Sequence, residues 1–195
     1  MKVGINLQLW LTHLTSEHMS LMRRLKEMGY DGVEVPLFEG DAKHYTAIGN
    51  ELKNIGLECT TSTAVVSPAN PLSNEAKDRQ AAVDHIRWAC EMSEAVGSRV
   101  LIGPMATAFK VFTGVGPTDD EMKRCADTMR AAADQAKKHH VQLAVEYLNR
   151  FECYALNTAA QCAALVSKVD HPSFKMMYDT FHANLEEADP IGAMT

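Results

Sequence analysis

Residues 45–66, YTAIGNELKNIGLECTTSTAVV, contain the pattern from which the fold can be predicted. Apolar residues from Tyr45 to Ile55 recur at spacings of three and four, which is the period of one face of an α-helix. Gly56 follows and can take the left-handed backbone conformation that commonly closes a helix. The apolar and β-branched residues from 57 to 66 then predict a strand and a loop. The stretch is therefore one helix–strand unit.

The same unit recurs along the chain. A helical spacing that ends at Met28 precedes Gly29 and an apolar run, and another that ends at Val96 precedes Gly97. Alternating helix and strand units of this size predict a parallel sheet. The predicted strands lie at about residues 2–9, 31–36, 57–63, 99–104, 141–147 and 174–180.

Two closures of this sheet compete, an open doubly wound sheet and a (β/α) barrel, and the pattern alone does not choose between them. A dinucleotide-binding sheet requires G-x-G-x-x-G after its first strand, where this sequence has Gln8-Leu-Trp-Leu-Thr-His13. Polar residues follow several of the predicted strands, which is where barrel enzymes build their active sites. The barrel is therefore favoured.

Composition and charge exclude several classes of partner. The net charge is -6, from 25 acidic and 19 basic residues, and no run of Lys or Arg exceeds two, which argues against a nucleic-acid-binding surface. Five cysteines without a C-x-x-C pair argue against a disulfide framework or a cysteine zinc site. No apolar stretch approaches the ~20 residues that a membrane helix needs. We expect a soluble, cytoplasmic protein with neither nucleic acid nor membrane as a partner.

Two carboxylates are predicted to meet at the ends of neighbouring strands. Side chains alternate along a strand, so Glu146 shares the inner face of the fifth strand with Gln142, and Asp179 shares that of the sixth with Lys175. Neighbouring parallel strands lie ~4.8 Å apart, a separation at which two anions repel unless a divalent cation bridges them. His182 follows Asp179 by one helical turn, and oxygen ligands with one imidazole suit Mn²⁺, Mg²⁺ or Co²⁺.

Each residue also has an ordinary structural interpretation. A glutamate that follows a strand is usually solvated or paired, and a lone histidine such as His182 usually caps a helix or faces solvent. Glu152 and Arg150 can form a surface ion pair that contributes little. Glu34 follows the same inward alternation, but its motif is weak.

Two segments resemble a known family. Glu146-Tyr-Leu-Asn-Arg-Phe-Glu152 and Tyr178-Asp-Thr-Phe-His-Ala-Asn-Leu-Glu-Glu187 are similar to the matching segments of the D-tagatose/D-psicose (allulose) 3-epimerases, in the xylose isomerase-like superfamily. The resemblance implies an α/β fold, a (β/α)8 TIM barrel of which this chain contains about six βα units. Because such a barrel typically takes ~250 residues, we expect residues 1–195 to form a single domain that is incomplete at its C-terminal side.

The resemblance also implies roles for individual residues. Glu146 would bind a divalent metal and exchange a proton with the substrate, Asp179 would be a second metal ligand, and Glu152 and His182 would hold substrate hydroxyls. Two further metal ligands of the family, a His and a Glu, would lie beyond Thr195. The expected metal is Mn²⁺, with Co²⁺ or Mg²⁺ as alternatives, and the expected partner is a small-molecule ketose. We also expect a homo-oligomer.

The function implied is a metal-dependent epimerase of free ketoses that exchanges the C3 proton through an enediolate intermediate. A relative of hydroxypyruvate isomerase or inosose dehydratase is the alternative within the same barrel, although residues 148–152 favour the epimerase. A non-catalytic truncated barrel is the alternative from another class. Asn6 differs from the family, whose members often have an aromatic residue at that position.

Overall fold

The computed structural model describes residues 1–194 and contains a parallel sheet within them. Its strands are β1 (Gly4–Asn6), β2 (Gly32–Pro36), β3 (Glu58–Ser62), β4 (Val100–Gly103), β5 (Gln142–Val145) and β6 (Phe174–Met176). The helices are α1 (Met19–Glu27), α2 (Ala42–Ile55), α3 (Ala76–Val96), α4 (Asp119–Lys138), α5 (Ala159–Val169) and α6 (Thr180–Glu186). None of the helices within residues 1–194 is long and apolar enough to cross a membrane.

The order of the strands distinguishes an open doubly wound sheet from a (β/α) barrel. The strands lie side by side in chain order, from β1 to β6, and every pair is parallel. A doubly wound sheet reverses its order at a switch point, and no reversal occurs among these strands. Consecutive helices from α1 to α5 pack on each other, so they form one layer outside the sheet. The barrel-like prediction is therefore confirmed.

All six predicted strands exist, but several are shorter than expected because side chains end them. The Asn6 side chain accepts a hydrogen bond from the backbone N–H of Gln8, and residues Leu7–Leu9 form a 3₁₀ turn instead of extending β1. The sixth strand ends at Met176 rather than near residue 180. Side-chain oxygens that accept backbone N–H groups favour helix starts over further strand, which explains both ends.

Alternation along the strands separates the core from the barrel interior. Val33 and Val35 of β2 are buried beneath the helices, whereas Glu34 between them faces the other way. A capping box of Thr118 and Glu121 begins α4, and Thr158 caps α5. The five cysteines are free thiols.

Gly103 allows β3 and β4 to approach closely at the open end of the barrel. Its φ is +126°, a value that residues with a Cβ rarely adopt, and a Cβ built there would lie 2.1 Å from the carbonyl oxygen of Thr63. That oxygen belongs to the backbone and cannot rotate away. Only glycine fits at this position without displacing a strand.

We predict that Gly103→Ala lowers the free energy of unfolding by about 2–6 kcal/mol, because backbone strain and steric overlap each cost about 1–3 kcal/mol. Urea unfolding measures this change. The matched control is Gly116→Ala, whose new Cβ would meet nothing within 4 Å, and which should change stability by less than about 0.5 kcal/mol. Equal unfolding midpoints for the two variants would contradict the close approach of Gly103 to the carbonyl oxygen of Thr63.

Candidate functional site

A cavity of about 450 Å³ opens at the carboxyl ends of the strands. Its volume lies within the range of about 300–1,000 Å³ that is usual for small-molecule sites. The polar side chains that line it include Asn6, Glu34, Ser62, Glu146, Glu152, Asp179 and His182. The cavity therefore contains every candidate residue from the sequence, together with three polar residues that were not candidates.

Glu146 is positioned by the end of β5. Its backbone N–H donates to the carbonyl oxygen of Gly103 at 3.0 Å, so the hydrogen bonding between β4 and β5 continues one residue beyond the strand. The side chain is 15% exposed and lines the cavity. Burial first, and the neighbouring Asp179 second, raise the pKa of Glu146 to about 8.

Asp179 is positioned by a helix start and not by a strand, which corrects the sequence-based expectation. It is the N-cap of α6, and its Oδ1 accepts the backbone N–H groups of Phe181 at 2.7 Å and His182 at 3.1 Å. Both bonds use the same oxygen, so Oδ2 remains available to another partner in the cavity.

The structure brings three potential ligands together. One ligand atom from each of Glu146, Asp179 and His182 lies within 4.8 Å of the others. Nε2 of His182 lies 3.4 Å from Oε1 of Glu146. Two carboxylates at this separation provide the hard oxygen donors that Mg²⁺ or Mn²⁺ prefers.

The tautomer of His182 distinguishes its role from that of the carboxylates. Its Nδ1 accepts the backbone N–H of Asn149 at 3.1 Å, and a backbone N–H can only donate. The neutral ring must therefore have its hydrogen on Nε2, the atom that faces Glu146. A protonated nitrogen does not ligate a cation, so the geometry favours the carboxylates as metal ligands and His182 as a hydrogen-bond donor.

Asn149 connects His182 to Glu152. Its Oδ1 accepts the N–H of Phe151 at 2.9 Å, which fixes the orientation of the amide. The two hydrogens of Nδ2 then point to Oε2 of Glu152 at 2.8 Å and to Nδ1 of His182 at 3.0 Å. One buried amide thus holds two candidate hydroxyl-binding residues in a common orientation.

Arg150 does not pair with Glu152, so the two residues do not form the surface ion pair considered from the sequence. Its guanidinium and backbone N–H bind Glu186 of α6, with the shortest contacts at 2.8 Å and 2.7 Å. This bonding holds the pKa of Glu186 below its usual range. The contact fastens α6, which contains His182, to the loop after β5.

Sequence reasoning set Glu34 aside, but the structure places it in the cavity. Burial raises the pKa of Glu34 to about 7, with a smaller contribution from Asp179, while a hydrogen bond from Thr60 opposes the rise. Oε1 of Glu34 accepts the amide of Asn6 at 2.8 Å. The inward alternation of Glu34 along β2 was the one signal in the sequence.

The fold and the site define a barrel-like α/β protein with an acidic site at the carboxyl ends of its strands. The chain belongs to the xylose isomerase-like TIM barrel family, whose sequence profile matches residues 22–195. The membership that the sequence segments indicated is thereby confirmed.

Several curated relatives are similar over nearly the whole chain. A probable ketose 3-epimerase of Synechocystis sp. is 26% identical over 192 residues, which cover 98% of this chain and 67% of that protein. A D-psicose 3-epimerase of Ruminiclostridium cellulolyticum is 27% identical over 198 residues, with 98% and 67% covered. A ketose 3-epimerase of Arthrobacter globiformis is 24% identical, with 97% and 65% covered. The chain thus spans about two thirds of the length of these relatives.

Solved structures agree on the fold. The crystal structure of a D-psicose 3-epimerase with D-tagatose from Clostridium cellulolyticum H10 matches with a TM-score of 0.88 at 23% identity, covering 100% of this chain and 68% of that one. That of a D-psicose 3-epimerase in the presence of D-fructose matches with a TM-score of 0.82 at 26% identity, covering 97% and 67%. The six-stranded sheet is thus the same architecture as the corresponding part of these barrels.

We predict that long-range ¹H–¹⁵N NMR spectra near neutral pH show the hydrogen of His182 on Nε2 and none on Nδ1, because Asn149 donates to Nδ1. The signal is assigned by its loss in His182→Gln. In Asn149→Ala the tautomer should persist, since the backbone N–H remains. A hydrogen on Nδ1 in the wild-type protein would contradict the donor role and would make Nε2 available to a cation.

Proposed function

We propose that this protein is a metal-dependent ketose 3-epimerase that exchanges the C3 proton of a free ketose. The observation that supports this most is the convergence of Glu146, Asp179 and the Nε2–H of His182 in one cavity. Relatives named ketose 3-epimerase and D-psicose 3-epimerase cover nearly the whole chain, which favours this chemistry over others on the same barrel.

Different residues of the chain would perform different steps of this reaction. Glu146 lines the cavity, where its carboxylate could remove the C3 proton, and a divalent cation beside it would favour the ionised form that a base requires. Loss of that proton leaves an enediolate, whose negative charge must be stabilised. A divalent cation held by Glu146 and Asp179 would supply positive charge to the substrate oxygens.

His182 and Glu152 are proposed to bind and orient the substrate. The Nε2–H of His182 can donate to a substrate oxygen, and the carboxylate of Glu152, with 29% of its side chain exposed, can accept from a hydroxyl. Because Asn149 orients both groups, their donor and acceptor roles are set before substrate binds. Preorganised groups of this kind reduce the cost of orienting the substrate.

We propose Mn²⁺ as the bound metal, with Co²⁺ or Mg²⁺ as alternatives, because the donors are oxygen atoms. We further propose that residues 1–195 form one domain and that the protein is a cytoplasmic homo-oligomer.

We predict that the Mn²⁺-loaded protein exchanges the C3 hydrogen of D-fructose, D-tagatose or D-psicose with solvent deuterium, as measured by NMR. Glu146→Gln should reduce the rate by about 10²–10⁴-fold, the usual contribution of a positioned general base. Glu91→Gln, an exposed glutamate of α3, is the matched control and should retain the wild-type rate. Absence of exchange by the wild-type chain with every one of the three ketoses would overturn the assignment.

We predict that two substitutions of Asp179 separate its capping role from its metal-binding role. In EDTA, which removes divalent cations, Asp179→Ala should lower the free energy of unfolding by about 1 kcal/mol because the helix cap is lost. Asp179→Asn should not, since Asn caps a helix about as well as Asp. Mn²⁺ at 100 times its Kd should stabilise the wild-type protein by about 2.7 kcal/mol and the Asp179→Asn variant much less. Urea unfolding with and without Mn²⁺ measures both effects. Equal stabilisation of the Asp179→Asn variant and the wild-type protein by Mn²⁺ would exclude Asp179 as a ligand.

A further inference from the structure

We propose that Ser62, Glu34 and Asn6 form a hydroxyl-binding wall that holds the terminal hydroxyl of the ketose, at the end remote from C3. This inference rests on the proposed function. The three residues belong to β1, β2 and β3, whereas Glu146 and Asp179 follow β5 and β6. The family resemblance gives no role to Glu34 or Ser62, and at the position of Asn6 the family often has an aromatic residue against the substrate.

Ser62 supplies the first observation. It is 5% exposed and lines the cavity, yet its Oγ has no hydrogen-bond partner among the described residues. A buried hydroxyl without a partner costs free energy, whereas an apolar residue of similar size would not. A polar atom that enters the cavity would give Ser62 its missing hydrogen bond.

Asn6 and Glu34 supply the second, independent observation. Oδ1 of Asn6 accepts the backbone N–H of Gln8 at 2.8 Å, which fixes the amide so that Nδ2 must point away. Nδ2 then donates to Oε1 of Glu34 at 2.8 Å, and Thr60 donates more weakly to Oε2 at 3.4 Å. These hydrogen bonds orient the carboxyl group of Glu34, which lines the cavity.

The register of the strands aligns these groups. Asn6 pairs with Glu34 across β1 and β2, and Glu34 pairs with Thr60 of β3, so all three side chains form one inward row. Ser62 lies two residues further along β3, which keeps the same orientation one step closer to the mouth. The wall is thus a consequence of three adjacent strands and not of a loop.

A polyhydroxy substrate fits this wall better than one with an apolar end. Glu34 and Ser62 provide acceptor and hydroxyl groups, while Ile102 and Met177 line the same cavity with apolar surface. A sugar presents alternating hydroxyl and C–H faces that match both kinds of group. A site built to bind a hydroxyl strongly rejects an analogue that lacks it, because its own polar groups are then left unpaired.

The test compares two probes that differ only at the remote end, D-fructose and 6-deoxy-D-fructose. Their dissociation constants are measured by calorimetry with the Mn²⁺-containing full chain. The variants are Ser62→Ala, Ser62→Cys, which preserves volume with a poorer hydrogen-bonding group, and Asn6→Ala. The matched control is Ser167→Ala on the exposed side of α5. The two sugars differ in solution form equally for every protein, so this difference cancels when the preference of a variant is compared with that of the wild-type protein.

We expect the wild-type protein and Ser167→Ala to bind D-fructose about tenfold more tightly than 6-deoxy-D-fructose, the effect of one hydrogen bond to a buried polar group. In Ser62→Ala and Asn6→Ala the preference should fall below about threefold, with Ser62→Cys in between. If both sugars bind but all variants keep the wild-type preference, this inference is overturned and the proposed function stands. If the wild-type chain binds neither sugar, the proposed function and this inference fail together.

Discussion

The like charge of two converging carboxylates is the constraint on which the rest of the site depends. Glu146 and Asp179 lie close together in a partly buried cavity, where two anions repel each other and lose hydration. The protein resolves the conflict asymmetrically. Two backbone N–H groups of α6 donate hydrogen bonds to Asp179, whereas burial and the neighbouring Asp179 raise the pKa of Glu146 to about 8. A cation between the two carboxyl groups would offset their repulsion.

A hydrogen-bond network converts this electrostatic arrangement into a defined geometry. The loop after β5 and the start of α6 each provide half of the acidic site, so their relative position decides its shape. Asn149 bonds to His182 across that gap, Arg150 bonds to Glu186, and the backbone N–H of Ala159 bonds to Glu187 at 2.7 Å. Three contacts along one short helix leave little freedom for Asp179 and His182 to move relative to Glu146.

The sequence allowed prediction wherever a period or an alternation governs the structure. Helical spacing located the helices, and alternation along β5 oriented Glu146 correctly because its neighbours on the other face are buried beneath the helices. Asp179 was assigned to a strand because the same alternation extends past Met176, but the capping bonds to α6 compete with sheet pairing there. The tautomer of His182 and the pairing of Arg150 with Glu186 depend on residues distant in sequence, which no local pattern encodes. The inward position of Glu34 follows from alternation along β2, but its contact with Asn6 depends on the pairing of β1 with β2.

The two walls of the cavity differ in the kind of constraint that positions them. Glu146, Asp179 and His182 all come from residues 142–187, and hydrogen bonds between the loop after β5 and α6 hold the two halves of this acidic wall together. Asn6, Glu34 and Ser62 depend on the register of three strands that lie far apart in sequence. Substitutions in the first wall should therefore act on the chemistry of the site, whereas the uncharged residues Asn6 and Ser62 of the second wall can change without adding or removing a charge beside Glu146 and Asp179. A fold that separates these two tasks can keep one reaction while it alters the substrate on which that reaction is performed.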